Sequence, residues 1–584
     1  MIKASGSQII VKLLELHGIT TVAGIPGGSI LPLYDELNRS SIRHILVRQE
    51  QAAGFIAQGM ARTSGKPAVC MATSGPGAMN LLTAVADARC DSIPIIAITG
   101  QVNSSLIGTD AFQEADTFGL SFPITKHSIM VKDPLELLEA IPSAFTIAVS
   151  GRPGPVLIDV PRDVQTRVVE FEKWPEIKSV DDSKHSVLAK RFATADCEVP
   201  KIIDRMADSL LSAKKAVLYL GGGCNNPETE KALFAFLEKY NAAVVSSLMG
   251  IGAVSRLDEN NFGMVGMHGS YAANLAMHDA DLVLAAGVRF DDRATGVIKE
   301  FCPNARILHI DVDAAEINKI LPASISLVGE TETMFPLLTG AVSKKSSDPK
   351  STDEGRLREN WLSELRKTFS ETESVELGRN PSVPASSTNP RLFIKNIPDM
   401  AKKAGVNADD IIVTTDVGQH QMWTAQYYPV TKSRQLLTSG SLGTMGFGLP
   451  TAIGAAIQNP KKRVVCVSGD GSILMNVQEF ATLAEENLDV TVFVLQNGSL
   501  GMVRQQQQYL FNKNYSASEF KKSPDLLNIA RGFGIDAIDA TVDKDWNKKA
   551  FTPGPHFVLL KIDMEENVLP FVAAGHANID SIRS

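Results

Sequence analysis

Apolar residues in this chain fall into two recurrent patterns. Short, mostly apolar runs of strand length cover residues 42–47, 68–72, 93–99 and 156–160, then 216–220, 282–286 and 307–310, then 411–415, 464–468, 491–495 and 557–562. Between them, apolar side chains recur every three or four positions, as at 6–17, 52–63, 356–369 and 476–486, which predicts helices. Near-continuous apolar runs mark strands buried on both faces, and strands that alternate with helices predict parallel sheets. Glycine-rich or polar segments follow several runs directly: GIPGGS (24–29), TSGPGAMN (73–80), GGG (221–223), GVRFDDR (287–293), DVD (311–313) and GDGS (469–472). In open α/β sheets, ligands bind beyond the strand C-termini.

The pattern divides the chain into three α/β units, each expected to be a doubly wound parallel sheet: residues 1–185, 186–343 and 389–584. Residues 344–388 are rich in Ser, Lys, Asp and Pro around one helix at 356–369, and read as a partly structured linker. The first and third units share a layout, as if one architecture were used twice.

The stretch 464–502 reads as strand, loop, helix, strand. A right-handed crossover brings both strands to the same sheet edge, so Asp470 and Asn497 should lie close together. One carboxylate and one amide suit a hard divalent cation that keeps other oxygen ligands. Gly471 permits a phosphate to approach the backbone, and the helix start behind it favours an anion. A bare GDGS is more often a plain turn with an N-capping aspartate. GDGS with an asparagine after the next strand resembles the thiamine-diphosphate motif, which requires a second half elsewhere in the chain.

Composition narrows the classes. The 584 residues are 44% hydrophobic and 21% charged with net charge −8, and no basic cluster appears, which argues against a nucleic-acid partner. The six cysteines have no paired spacing, which argues against a disulfide framework or zinc site and fits a reducing cytoplasm. The N-terminal residues form an amphipathic helix rather than a signal peptide, and no apolar run of 18 residues exists to span a membrane.

Several other residues carry two readings. Glu50 is either a helix-start glutamate favoured by the dipole, or a partly buried carboxylate that shares a proton with a heterocyclic nitrogen. TSGPGAMN is a tight strand-to-helix turn or a backbone platform for a flat ring, with Asn80 as a polar contact. Met445 is core or a prop, and His420 caps a helix or meets a phosphate. GMHG (266–269), RFDDR (289–293) and HIDVD (309–313) are candidates for a second nucleotide, and the missing GxGxxG disfavours a standard NAD site.

Taken in order, these segments resemble the large catalytic subunit of the acetolactate synthase (acetohydroxyacid synthase) family. The likeness runs from GIPGGSILPLYD through RQEQ, TSGPGAMN, DSIPIIAITGQV, IGTDAFQEAD, ITKH, SGRPGPVLIDVP, GMHG, RFDDR, DVGQHQMW, GTMGFGLP and GDGS to NGSLGMV, and is nearest the enterobacterial isozyme I type. The resemblance implies a pyrimidine-binding, a central FAD-binding and a diphosphate-binding domain. It implies a homodimer or dimer of dimers with the thiamine site between subunits, and a small regulatory subunit.

Carried over by motif, Glu50 pairs with the aminopyrimidine. Pro76, Asn80, Gly418, Gln419, His420, Gly443, Met445, Gly471, Ser472 and Met502 contact thiamine diphosphate, and Asp470, Asn497 and the carbonyl of Ser499 hold Mg²⁺. Arg152, Gly222, Gly266, Met267, His268, Gly269, Gly287, Arg289, Asp291, Asp311 and Asp313 hold FAD. Gly28, Phe112, Gln113, Lys126, Arg293 and Gln506 border the substrate, with Gln113, Lys126 and Arg293 joining Glu50 in the catalytic group. The implied reaction decarboxylates pyruvate and joins the two-carbon unit to a second pyruvate, giving acetolactate, or to 2-ketobutyrate, giving acetohydroxybutyrate. The flavin has no redox role in that sum.

Two residues depart from the family pattern. Gln506 stands where many members have a Trp associated with preference for 2-ketobutyrate, which predicts weak preference here, and Ser29 replaces a usual Ala at a herbicide-contact position. The nearest rivals are glyoxylate carboligase, whose family lacks the glutamate at position 50, and the flavin-free catabolic acetolactate synthase, which GMHG, RFDDR and HIDVD argue against. A nucleotide-binding regulatory protein without catalysis is disfavoured by the complete metal and Glu50 positions.

Overall fold

The apolar runs form the central strands of three six-stranded sheets. The computed structural model describes every residue except 185, 187–192, 379, 381–382, 385–386 and 584. The expected boundary at 185–186 and parts of the 344–388 stretch therefore lie partly outside the described residues. A two-stranded antiparallel pair, β1 (Ile2–Ser5) with β8 (Val168–Phe171), ties the two ends of the first unit together.

The first sheet contains β2 (Thr21–Gly24), β3 (Arg43–Leu46), β4 (Ala68–Ala72), β5 (Ile95–Gln101), β6 (His127–Met130) and β7 (Val156–Pro161), in the order β3-β2-β4-β5-β7-β6. The third contains β15 (Ile411–Thr415), β16 (Leu436–Leu437), β17 (Arg463–Gly469), β18 (Val490–Gln496), β19 (Asp536–Asp539) and β20 (His556–Lys561), in the order β16-β15-β17-β18-β20-β19. Counted along the chain, both sheets run second, first, third, fourth, sixth, fifth. The shared layout of the outer units is thus a shared topology.

The central sheet differs. Its strands are β9 (Ala216–Leu220), β10 (Ala243–Ser246), β11 (Asn261–Met264), β12 (Leu282–Ala286), β13 (Arg306–Asp311) and β14 (Ile325–Val328), in the order β11-β10-β9-β12-β13-β14. This is the third-second-first-fourth-fifth-sixth order of doubly wound dinucleotide-binding sheets, with a switch point between β9 and β12. All pairs within the three sheets are parallel, and β4, β5, β7, β9 and β12 are buried along their whole length.

The outer units pack directly on each other. The helix Glu50–Ser64 crosses the helix Gly448–Gln458 where both lack side chains: a Cβ on Gly59 would lie 2.2 Å from the Thr451 carbonyl oxygen, and one on Gly454 2.0 Å from that of Ile56. One apolar core runs through this crossing and joins Ile56 and Met60 to Ile453 and Val464.

Two elements differ from the expected pattern. The helix expected at 356–369 runs from Asp353 to Glu376. It buries Trp361, Leu362 and Leu365 against the central core, and Arg358 donates to Asn241 and to the Ala213 and Pro349 carbonyls. The helix expected at 476–486 is shorter: 3-10 turns cover Ile473–Met475 and Val477–Glu479, and the α-helix is Phe480–Glu485. The chain is diverted because Asn476 donates to the Gly446 carbonyl and the Glu479 carboxylate accepts from the Arg48 backbone N–H.

Candidate active site

The parallel register of β17 and β18, with Gly469 opposite Leu495, brings Asp470 and Asn497 to one sheet edge. The Gly498 N–H donates to Asp470 Oδ2 at 2.7 Å, and the Ser499 N–H donates to Asn497 Oδ1 at 3.0 Å. Asn497 Nδ2 donates to Gln419 Oε1. Asp470 is buried, and burial raises its carboxyl to about 6 against the pull of backbone N–H groups, that of Gly498 first. A cation would relieve that cost. Among the described residues no group of three or more His, Cys, Asp or Glu side chains could hold a metal. A cation here must therefore rest on mixed oxygen donors, which fits Mg²⁺ and not zinc.

A cradle faces this edge. Gly418 precedes the helix Gln419–Tyr427 and has φ of 152°, and its Cβ would lie 2.8 Å from the His420 ring. His420 is buried, and burial lowers its pKa to about 3, so the ring is neutral. Its Nε2 has no hydrogen-bond partner, which is the mark of a missing ligand group. Ser472 Oγ lies 3.2 Å from Ser468 Oγ, and Met445 Cε lies 4.0 Å from where a Gly471 Cβ would be.

This cradle opens into a cavity of about 1420 Å³ that continues to the C-terminal edge of the central sheet. Such a volume exceeds that of a usual single-ligand pocket. Gly222, Met267, His268, Gly287, Arg289, Asp291, Arg293 and Asp311 line one end, and Gly418, Met445, Asp470, Asn497, Met502 and Gln506 the other. At the switch point, a Cβ on Gly287 would meet the Gly223 backbone at 2.7 Å, so bare glycines replace the absent GxGxxG. His268 is held neutral by burial, with its pKa lowered to about 4 and Nδ1 unpartnered. Burial raises Asp311 to about 7. These residues fit a dinucleotide such as FAD.

Gly266, Gly269 and Asp313 stand outside the lining. A Cβ on Gly266 would meet the Arg293 carbonyl at 2.2 Å, and one on Gly269 the Gly266 nitrogen at 2.6 Å, so both shape the turn that presents Met267 and His268. Asp313 pairs with Arg152 at 3.6 Å, and Arg152 reaches Glu316 at 2.8 Å.

The first unit holds a separate group. Glu50 is the first residue of its helix, and Asn80 Nδ2 donates to Glu50 Oε2 at 3.0 Å. Pro76 begins the neighbouring helix Pro76–Asp91. Gly75, with φ of 57°, lets the backbone of Gln113 approach to where its Cβ would be, 2.7 Å from the Gln113 oxygen. Phe112 is 88% exposed beside it, and a Gly28 Cβ would meet nothing within 4 Å. None of Gly28, Glu50, Pro76, Asn80, Phe112 or Gln113 lines the cavity that contains Asp470. Within one chain the Glu50–Asn80 group is therefore separate from the cavity that contains Asp470.

Comparison with known proteins fits this division. Three models of thiamine pyrophosphate enzymes match in succession: the N-terminal TPP binding domain over residues 4–120, the central domain over 203–338 and the C-terminal TPP binding domain over 416–558. The large subunit of acetolactate synthase isozyme 1 from Escherichia coli K12 is 45% identical over 99% of this chain and 97% of its own length. The isozyme 2 large subunit of the same organism is 40% identical over 99% of both. Acetolactate synthase 2, chloroplastic, from Nicotiana tabacum is 39% identical over 99% of this chain and 85% of its own. The chain belongs to the acetolactate synthase large-subunit family.

Within this acetolactate synthase fold, the expected substrate residues do not all converge. Arg293 reaches the cavity, with Nη1 3.9 Å from Met267 Sδ. Gln506 and Met502, one turn apart on the helix Gly501–Leu510, face the same space. Lys126 stands apart: its Nζ donates to the Ser150 and Ile147 carbonyls at the end of the helix Leu137–Val149, and burial lowers its pKa to about 8. Reasoning from motifs also missed lining residues such as Ser247 and Thr331. Both follow strands, β10 and β14, that the apolar pattern did not mark.

Proposed function

We propose that this protein is the catalytic large subunit of an acetolactate synthase, which joins pyruvate to a second pyruvate or to 2-ketobutyrate with loss of CO₂. This is the first common step in valine, leucine and isoleucine biosynthesis. The observation that carries the reading is the Asp470–Asn497 edge facing an unpartnered His420, in a cavity that continues into a dinucleotide-binding sheet. The names of the relatives agree with it.

Bound thiamine diphosphate supplies the carbon nucleophile and the electron sink for decarboxylation. The chain's part is to bind and orient. Asp470, Asn497 and the Ser499 carbonyl would hold Mg²⁺, with Gly418, Gln419, His420, Gly443, Gly471 and Ser472 around the diphosphate. Glu50, steadied by Asn80, would hold a proton against the aminopyrimidine ring nitrogen. Met445 would support the cofactor from below. Arg293 would grip the carboxylate of the second keto acid through two parallel N–H bonds, and the switch-point glycines, His268, Arg289 and Asp311 would hold FAD.

Within one chain Glu50 does not line the cavity that holds Asp470, which supports a site completed by Glu50 of one subunit and Asp470 of another in a homodimer or dimer of dimers. A small regulatory subunit and a cytoplasmic location complete the proposal; among the described residues no helix is long and apolar enough to cross a membrane. The test is acetolactate formation from pyruvate, with thiamine diphosphate, Mg²⁺ and FAD each omitted in turn. Product that requires all three is expected, and absence of product with all three present would overturn the reading. Glu50→Gln should lose nearly all activity.

A further inference from the structure

The helices that begin at Glu50 and at Pro76 end far from those residues, at a buried charged cluster. Arg62, Asp87 and Asp91 are 8%, 0% and 9% exposed. Arg62 Nη2 lies 2.8 Å from Asp91 Oδ2 and 3.5 Å from Asp87 Oδ1. One guanidinium therefore faces two carboxylates one helical turn apart.

The remaining capacity of both carboxylates goes to one segment of the third unit. Ser439 Oγ and Thr444 Oγ1 donate to Asp87 Oδ2 at 2.5 and 2.8 Å. The Gly440 and Ser441 N–H groups donate to Asp91 at 3.0 and 2.9 Å. Arg62 Nη1 donates to the Thr438 carbonyl, and its guanidinium stacks 5.0 Å from the Phe447 ring centroid. The Thr444 N–H also donates to Ser439 Oγ, which closes the loop on itself. Every polar handle of 438–441 that points into the first unit is thus held by these three side chains, and the next residue after Thr444 is Met445.

We propose that Asp87 and Asp91, with Arg62, are positioning residues for the diphosphate half-site: they fix the 438–444 loop and so set the placement of Met445 under the cofactor. The inference rests on the thiamine reading above. It assigns them a role through the loop; Arg62 and Asp91 also reach the cavity wall, and Asp87 does not. Two carboxylates beside a single arginine cost more than a purely structural contact requires, because an apolar or neutral pairing would stabilise the crossing as well. What carboxylates supply is several acceptors at one place, which match the two hydroxyls and two N–H groups of a loop with no regular structure.

The test uses the intact, FAD-loaded protein with Mg²⁺ and measures binding of thiamine diphosphate by equilibrium dialysis. The double variant Ser439→Ala/Thr444→Val removes both hydroxyls and leaves the buried charges in place; Asp87→Asn changes the acceptor. Each is expected to weaken binding about tenfold, as loss of hydrogen bonds to a carboxylate predicts. Flavin content should stay at the parental value, and the thermal midpoint of thiamine-free protein should fall by only a few degrees, since the double variant removes two donors from a buried carboxylate. Thr444→Ser, which keeps the hydroxyl, should bind as the parent does. Unchanged binding in the double variant, or flavin lost in proportion to thiamine diphosphate binding, would overturn the proposal. A parent protein that fails to bind thiamine diphosphate would remove the underlying reading instead.

Discussion

Asn80 Nδ2 donates to Glu50 Oε2 across 3.0 Å, so a side chain near the start of one helix orients the first side chain of another. In the proposed function the Glu50 carboxylate meets the aminopyrimidine of a cofactor held by a partner subunit. Asn80 holds one carboxylate oxygen, and the bare Gly77 leaves room beside the other, where a Cβ would lie 3.3 Å away. Asn80→Ala should cost about 1 kcal/mol of orientation, or roughly a fivefold fall in kcat. Steady-state assays at saturating cofactors check this, and KM for pyruvate should change little.

The metal edge has a pH dependence with a definite sign. Burial raises Asp470 to about 6, and a divalent cation binds the ionised form. Proton and cation therefore compete below about pH 6. The Mg²⁺ concentration for half-maximal activity should rise roughly tenfold between pH 7 and pH 5. Asp470→Asn removes the charge and should raise the requirement at every pH while flattening its pH profile. Titration of Mg²⁺ into chelator-treated protein at both pH values tests this, and a parental requirement that is constant with pH would refute it.

What the sequence made legible follows from distance along the chain. β4, β9, β12 and β15 coincide with their runs because both faces are covered, so nearly every residue is apolar, with Thr414 and Thr415 the exceptions. β11, β14 and β19 were not marked: each has four residues, and neighbouring strands rather than local pattern define them. Asp470 and Asn497 were singled out because each directly follows a strand, and His420 because it opens the helix after β15; in the fold all three line one cavity. The Arg62 cluster was not, since Arg62 and Thr438 are 376 positions apart and only the crossing of two glycine-bearing helices joins them. Lys126 shows the opposite limit. A motif placed it near substrate, while in the fold its ammonium terminates a helix.

Gln506 is expected to weaken discrimination between acceptors. It projects into the cavity one turn after Met502 on the same helix. 2-Ketobutyrate exceeds pyruvate by one methylene, so preference requires apolar surface for that group, worth about tenfold. An amide offers less such surface than an indole. Gln506→Trp should shift the product ratio toward acetohydroxybutyrate by about tenfold when both acceptors compete, with little change in pyruvate consumption alone. An unchanged ratio would show that another wall of the cavity sets the preference.

Asp159 gives the fold a pH-dependent element away from the metal edge. It is fully buried on β7, where Thr99 Oγ1 donates to Oδ1 at 2.7 Å and Gln101 Nε2 donates to Oδ2 at 3.1 Å. Burial outweighs these bonds and raises the carboxyl from 3.8 to about 7. Between those values the folded chain holds a proton that the unfolded chain has released. The contribution to stability is therefore complete below about pH 4 and is lost as pH rises through 7. Asp159→Asn keeps the geometry, since its carbonyl accepts from Gln101 and its amide donates to the Thr99 hydroxyl, and it has no charge to bury. The variant should match the parent's thermal midpoint at pH 4 and exceed it by a few degrees at pH 8. Calorimetric scans across that range decide the matter: two parallel profiles would mean that Asp159 is already ionised in the folded protein, with its charge met by groups other than Thr99 and Gln101.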